Sequence, residues 1–194
     1  MILAAITGSI GCGKTTLAKI ANELGYTVFD IDGWVRRIYF DKDFLQELDK
    51  VFPNIVSDGV ADKRKLRNLV FSDNNKLKLL ESLIHPFLKE NLKKVIRNNA
   101  KSDDVFFIDV ALLFEMGWDK YCDIVIVADV DPEIQKQRVM KRDNISEEDF
   151  DKINNVQMKN EYKKDLADVI IDTNNSLNLL KKEMIFVIKG LEAA

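Results

Sequence analysis

Along the chain, apolar residues follow two spacings. Short runs rich in β-branched residues, Ile2–Ile6, Thr27–Phe29, Val105–Val110 and Ile124–Ala128, read as buried strands, and Val169–Ile171 reads as a fifth. Each neighbours a longer segment whose apolar positions fall three and four apart, the mark of a helix with one buried face. Strand and helix in turn predict parallel strands covered on both faces, an α/β layer architecture. One stretch breaks the alternation, since roughly seventy residues before Val105 hold no convincing strand. There Phe44, Leu45, Leu48, Val51 and Phe52 recur at helical spacing. Leu77, Leu80, Leu83 and Ile84 do the same, then Phe87, Leu88, Leu92, Val95 and Ile96. The turn Ser57-Asp58-Gly59 separates the first group from a helix over Lys63–Phe71. Residue by residue these stripes read as core. As a block, residues from about 34 to 100 predict a helical insertion beside the sheet, a position suited to substrate recognition.

Composition narrows the class. The 194 residues suggest one domain, and 46% apolar with 31% charged residues is ordinary for a globular protein. A net charge of −3 argues against nucleic-acid and membrane-surface partners, which select a basic excess. Two cysteines, Cys12 and Cys122, are too few for a disulfide framework or a four-cysteine zinc site. The apolar start Met1–Ile6 is short and lacks a basic leader, so it reads as neither signal peptide nor membrane span. A cytoplasmic location is expected.

The strongest chemical signal is Gly8-Ser9-Ile10-Gly11-Cys12-Gly13-Lys14-Thr15, a complete G-x-x-x-x-G-K-[ST] match. It follows the strand Ile2–Ile6 and opens a helix through Leu17, Ala18, Ile20, Ala21 and Leu24, closed by Gly25. Its glycines allow tight turns and close approach to oxygen atoms. Successive amides from about Gly11 to Thr16 would point into one concavity at a helix start, where the macrodipole favours an anion. In such a loop Lys14 bridges the β- and γ-phosphates of a nucleoside triphosphate, and the Thr15 hydroxyl ligates Mg²⁺. Cys12 reads as small filler.

A phosphate loop names a nucleotide, not a reaction. The second strand runs into Asp30-Ile31-Asp32, where Asp32 above all reads as a carboxylate that takes a proton from an acceptor hydroxyl. The other reading makes both aspartates helix caps. Asp109 closes an apolar strand, either as a second candidate ligand for Mg²⁺ or as a turn residue. Asp131-Pro132 starts a helix on which Gln135, Arg138 and Arg142 share a face. Guanidinium groups there either stabilise charge on a transferring phosphoryl or form a solvated surface. Ser146-Glu147-Glu148-Asp149 is a capping box for the next helix, and two charged helices joined by a polar turn predict a lid over about residues 138–160. His85, the single histidine, precedes Pro86 at an expected helix start and reads as a capping or packing residue.

Together these motifs resemble the dephospho-CoA kinase family, over nearly the whole chain and in order. The match runs from the phosphate loop through Asp30-x-Asp32-x-x-x-Arg36, the Asp58-Gly59 turn, Leu66-Arg67-x-x-Val70-Phe71 and Leu80-Glu81-x-x-Ile84-His85-Pro86. It continues through Leu112-Leu113-Phe114-Glu115, Gln135-x-x-Arg138-x-x-x-Arg142, Gln157 and Ala167-Asp168-x-Ile170-Ile171-Asp172. The resemblance implies a P-loop NTPase three-layer sandwich with a five-stranded parallel sheet, a helical CoA-binding insertion and a lid. It implies transfer of the ATP γ-phosphate to the ribose 3′-hydroxyl of dephospho-CoA with Mg²⁺, the last step of coenzyme A biosynthesis. On the matching positions, Asp32 is the hydroxyl-activating carboxylate, and Lys14, Arg138 and Arg142 serve the transfer. Arg138 and Arg142 belong to the ATP and lid side, Arg36 and His85 to the CoA side, and Asn174 approaches adenine.

Four positions depart from the family's habit: Ala111 stands for Pro, Lys63 and Ile153 for Arg, and Thr173 intervenes between Asp172 and Asn174. The nearest alternative is another small-molecule kinase of nucleoside monophosphate or shikimate type, which would differ in the insertion. A nucleotide-dependent switch would find its D-x-x-G in Asp30-Ile31-Asp32-Gly33, but no N-K-x-D motif accompanies it.

Overall fold

In the computed structural model, which describes residues 2–71, 73–99 and 105–193, strand β1 (Ile2–Thr7) runs through the middle of a parallel sheet. β5 (Val105–Asp109) and β6 (Ile124–Asp129) flank it, and β2 (Thr27–Asp30) and β7 (Val169–Asp172) form the edges, in the order β2-β5-β1-β6-β7. The five strands expected from the apolar runs are the five strands of this sheet. Ala4, Ile6, Phe107, Ile126, Ala128 and Ile171 join one core with Leu17, Ala18 and Ala21 of α1 (Lys14–Glu23) and Leu180, Met184 and Ile188 of α9 (Leu177–Glu192). The intervening Leu3, Ala5, Phe106, Ile108, Val125 and Val127 are buried as well, so both faces are covered. α8 (Asn160–Asp165) packs against β6.

The register brings the strand ends level. Asp109 lies opposite both Ile6 and Asp30, and Asp129 opposite Asp172. The connection leaving β1 runs toward the β2 edge and those leaving β5 and β6 run toward the β7 edge, and crevices where connections diverge in this way are where open α/β sheets bind ligands.

Helix ends follow the local chemistry. α1 stops in a Schellman motif: Gly25 has φ +96°, its N–H donates to Asn22 O, and the Tyr26 N–H donates to Ala21 O. Asp131 caps α6 (Pro132–Asp143) by accepting from the Glu133 and Ile134 amides. Ser146 caps α7 (Glu147–Val156) by accepting from the Asp149 amide and donating to its carboxylate.

Residues 31–100 form a second compact unit, separate from the sheet unit of residues 1–30 and 101–194. It contains α2 (Ile31–Ile38), α3 (Lys42–Val51), α4 (Lys63–Phe71) and α5 (Asn74–Asn99). Phe44 sits in its core, with the rings of Tyr39 and Phe87 each set edge-on to it at 5.3 Å. The side chains of Phe71, Val95 and Ile96 lie outside the described set.

Two expectations are corrected here. The stretch read as strandless holds a small hairpin, β3 (Val56–Ser57) paired antiparallel with β4 (Val60–Ala61). Its turn, Asp58-Gly59, has both φ values positive (51° and 74°), the geometry that closes two-residue hairpins. Strands of two residues are too short to show an alternating pattern. His85-Pro86 is not a helix start either, because α5 runs through it with Pro86 inside. Leu80, Ile84, Leu88 and Leu92 are buried on both sides of the proline. At about 1.5–3 kcal/mol for each buried side chain, that stripe outweighs the ~3 kcal/mol an internal proline costs.

Among the described residues, no helix is long and apolar enough to cross a membrane.

Candidate active site

The loop from Gly8 to Gly13 joins β1 to α1, and its shape is set by walls on both sides. Gly11 has φ +80°, and a Cβ there would lie 2.5 Å from Val139 Cγ2 on α6. Gly13 has φ +90°, and a Cβ there would lie 2.8 Å from the Thr173 side chain beyond β7. Only glycine meets both the dihedral and the clearance. Gly13 is also the N-cap of α1, and no side chain caps that helix start. The Thr16 and Leu17 amides both donate to Gly13 O, and the start of α1 is the positive end of its helix dipole, where anions are favoured.

Lys14 opens α1, and its ammonium lies 2.5 Å from Asp109 Oδ1, with both side chains about nine-tenths buried. Thr15 is exposed on the first turn, and Thr16 is half-buried. Cys12 is buried, and its thiol is pushed up to about 12, first by burial and then by the negative charge of Asp129. A thiol held protonated in this way is a poor nucleophile.

The loop is tied to the segments that follow β6. The Ile10 amide donates to Gln157 Oε1 at 2.8 Å, and Ile10 O accepts from Gln135 Nε2 at 2.6 Å. The Ser9 amide donates to Asn160 Oδ1, and the Ser9 hydroxyl donates to Met158 O. The Thr173 hydroxyl is within bonding distance of Cys12 O at 2.8 Å and of Asp129 O at 3.0 Å.

Of the residues singled out in the sequence, Gly11 to Thr16 are consecutive here, with Asp109 at Lys14. Arg138 is brought in indirectly. Its guanidinium donates to Thr173 O at 3.0 Å, and Thr173 touches the loop. Asn174 lies in the same turn, accepting from the Asp131 amide and donating to Asp172. Arg142 instead forms a two-pronged pair with its neighbour Asp143 at 2.8 and 2.7 Å, with a mostly exposed side chain. That contact raises the arginine and lowers the carboxyl from their ordinary ranges. Asp32, Arg36 and His85 belong to the helical unit. Asp32 is in the first turn of α2, two residues past the end of β2, and Arg36 is one turn further on. His85 is half-buried on α5.

Comparison with known proteins decides the family. A model of dephospho-CoA kinase matches residues 2–178. The dephospho-CoA kinase of Bartonella henselae is 36% identical over 98% of both chains.

The chain belongs to the dephospho-CoA kinase family. Its activity is the ATP-dependent phosphorylation of dephospho-CoA in coenzyme A biosynthesis. The solved structure of TT1252 from Thermus thermophilus superposes with a TM-score of 0.84 at 32% identity, covering 98% of this chain and 97% of that one. The dephospho-CoA kinase from Campylobacter jejuni superposes at 0.73 with 27% identity over the same shares.

This dephospho-CoA kinase also uses side chains at the loop to which sequence reasoning gave no site role. Asn160 and Thr173 both bond the loop backbone, yet a polar residue at a helix start or strand end usually serves its own turn. Lys163 went unnoticed for a different reason. It lies in the polar segment Asn160–Asp165, where a lysine reads as solvated, yet it is fully buried.

Proposed function

We propose that the loop from Gly11 to Thr16 binds the triphosphate of ATP and that Asp32 activates the acceptor. The observation that carries this reading is the uncapped start of α1, with Lys14 at its first position and glycines wherever a Cβ would strike a wall. The amides and the Lys14 ammonium hold the β- and γ-phosphates. Mg²⁺ suits the donor set, an exposed Thr15 hydroxyl beside phosphate oxygens, with Asp109 as the second candidate. When bound it neutralises phosphate charge.

As the ribose 3′-hydroxyl oxygen of dephospho-CoA bonds to the γ-phosphorus, its proton passes to the Asp32 carboxylate. The bond from that phosphorus to the β–γ bridging oxygen breaks, and ADP leaves carrying its electron pair. Arg138 and Arg142 offset charge on the moving phosphoryl, which requires Arg142 to exchange its Asp143 partner for phosphate oxygen. Asn174 contacts adenine. Arg36 and His85 serve CoA binding within the insertion of residues 34–100, and residues 138–160 act as the lid. A cytoplasmic location without nucleic-acid or membrane partners belongs to the same reading, supported by the near-neutral charge.

ADP release tests it, measured with dephospho-CoA, AMP, shikimate, pantothenate or no acceptor. Release should depend on dephospho-CoA, with 3′-phosphorylated product. Equal turnover with shikimate or AMP, or without acceptor, would overturn the acceptor assignment.

A further inference from the structure

We propose that Lys163 is a positioning residue for the phosphate loop, acting from beneath through Glu115 and the strap of residues 157–160. Lys163 has no exposed side-chain surface. Its ammonium donates to Ala111 O at 2.6 Å and pairs with Glu115 Oε1 at 3.0 Å. The same Glu115 oxygen accepts the Met158 amide at 2.8 Å. A buried ammonium must be matched by an anion and by further acceptors, and here both come from the segment just after β5.

The strap fixed in this way is the one that grips the loop. Gln157 takes the Ile10 amide, Met158 O takes the Ser9 hydroxyl, and Asn160 takes the Ser9 amide. Asn160 is itself steadied by donating to Asp129 Oδ1 at 2.8 Å. Two consecutive loop amides, at Ser9 and Ile10, are thereby held by protein, which fixes the direction of the amides after them. Glu115 is the last residue of Leu112-Leu113-Phe114-Glu115, a motif to which the transfer chemistry gives no task. Its task here is to carry the Lys163 charge to the strap. Lys163 touches no substrate. It sets the aim of groups that do, so its loss should weaken ATP more than dephospho-CoA.

The inference rests on the loop being the triphosphate site, and the experiment separates the two. ATP affinity is measured by calorimetric titration for the wild type, Lys14→Ala, Lys163→Met and Glu115→Gln, with the KM for each substrate and amide hydrogen exchange at Ile10. Lys163→Met should weaken ATP at least tenfold, leave the dephospho-CoA KM within twofold and speed exchange at Ile10. Glu115→Gln keeps an oxygen for the Met158 amide but loses the charge, and should show the same pattern at about threefold. It decides the question if Lys163→Met does not fold. Unchanged ATP affinity and Ile10 exchange in whichever of these variants fold would overturn the proposal, since a merely stabilising lysine alters the folded fraction and not the loop. If Lys14→Ala keeps full ATP affinity, the reading of the loop fails instead.

Discussion

Around the phosphate loop, side chains bond to backbone more than a hundred positions away: Gln135 and Gln157 to Ile10, Asn160 to Ser9, Thr173 to Cys12. In the helical unit, Asp41, Asp62 and Ser82 bond to backbone three positions away, while Phe44, Leu48 and Leu88 have no exposed surface. A hydrogen bond fixes direction as well as distance, and several amides aimed at one phosphate require both. Apolar packing fixes volume and accepts other side chains of similar size. The surroundings of the phosphate loop are therefore built for direction, and the core of the helical unit for shape. Substitutions in the two units should fail in different ways.

The largest effect falls on the helical unit's one proposed chemical group. Asp32→Asn removes the proton acceptor while keeping size and hydrogen-bonding capacity. Turnover should fall about 10²–10⁴-fold, the usual worth of a positioned general base, with ATP affinity within a few-fold of wild type. ADP-release kinetics beside a binding titration check this. Loss of ATP affinity would break the division between the two units.

Two glycines of like conformation sharpen the division. Gly13 in the loop and Gly59 in the hairpin have φ of +90° and +74°. An added Cβ meets Thr173 at 2.8 Å in the first case and nothing within 4 Å in the second. Gly59→Ala should cost about 1 kcal/mol, the backbone penalty alone, and leave ATP binding unchanged. Gly13→Ala adds overpacking and should cost about 3 kcal/mol, with weakened ATP binding. Urea denaturation gives both numbers, and equal costs would show that Thr173 yields freely.

The same contrast explains what the sequence made legible. The strands and the phosphate loop were readable because each is a run of consecutive residues whose pattern carries its own physics. Pro86 misled because a local rule about helix starts yields to a buried stripe, Leu80 to Leu92, that spans it. The Asp58-Gly59 turn was visible and its hairpin was not, since two residues a side make no pattern. Lys163, Asn160 and Thr173 share a different obscurity. Their burial and partners are set by segments far apart in the chain, which spacing along one helix does not encode. Asp109 was recognised as a strand-end acid, but its meeting with Lys14 depends on the register of β1 against β5.

The subtlest comparison is between Cys12 and Cys122, because Cys12 reports how firmly the braced loop stays closed. Burial above all, and then the Asp129 carboxylate, push its thiol up to about 12, so at pH 8 it stays protonated. Because the thiolate is the reactive form, alkylation by iodoacetamide should run about a thousandfold below that of an ordinary thiol, as long as the loop does not open. Cys122 has a thiol raised equally, by burial first and then by Asp119 and Asp123, but it is only half-buried and lies outside the loop's braces. A thiol raised in the folded state adds stability that is fully present below pH 9. That stability is lost as pH climbs from there toward 12, so both cysteines work against the fold only in alkali. Mass spectrometry of each cysteine over time at pH 8 separates them. Cys12 should be modified more slowly than Cys122 in the native protein, and the gap should close in Gln157→Ala, which releases the Ile10 amide. Equal rates in the wild type would mean that the loop opens as readily as the surface, and the contrast between a directed loop and a packed helical unit would lose its basis.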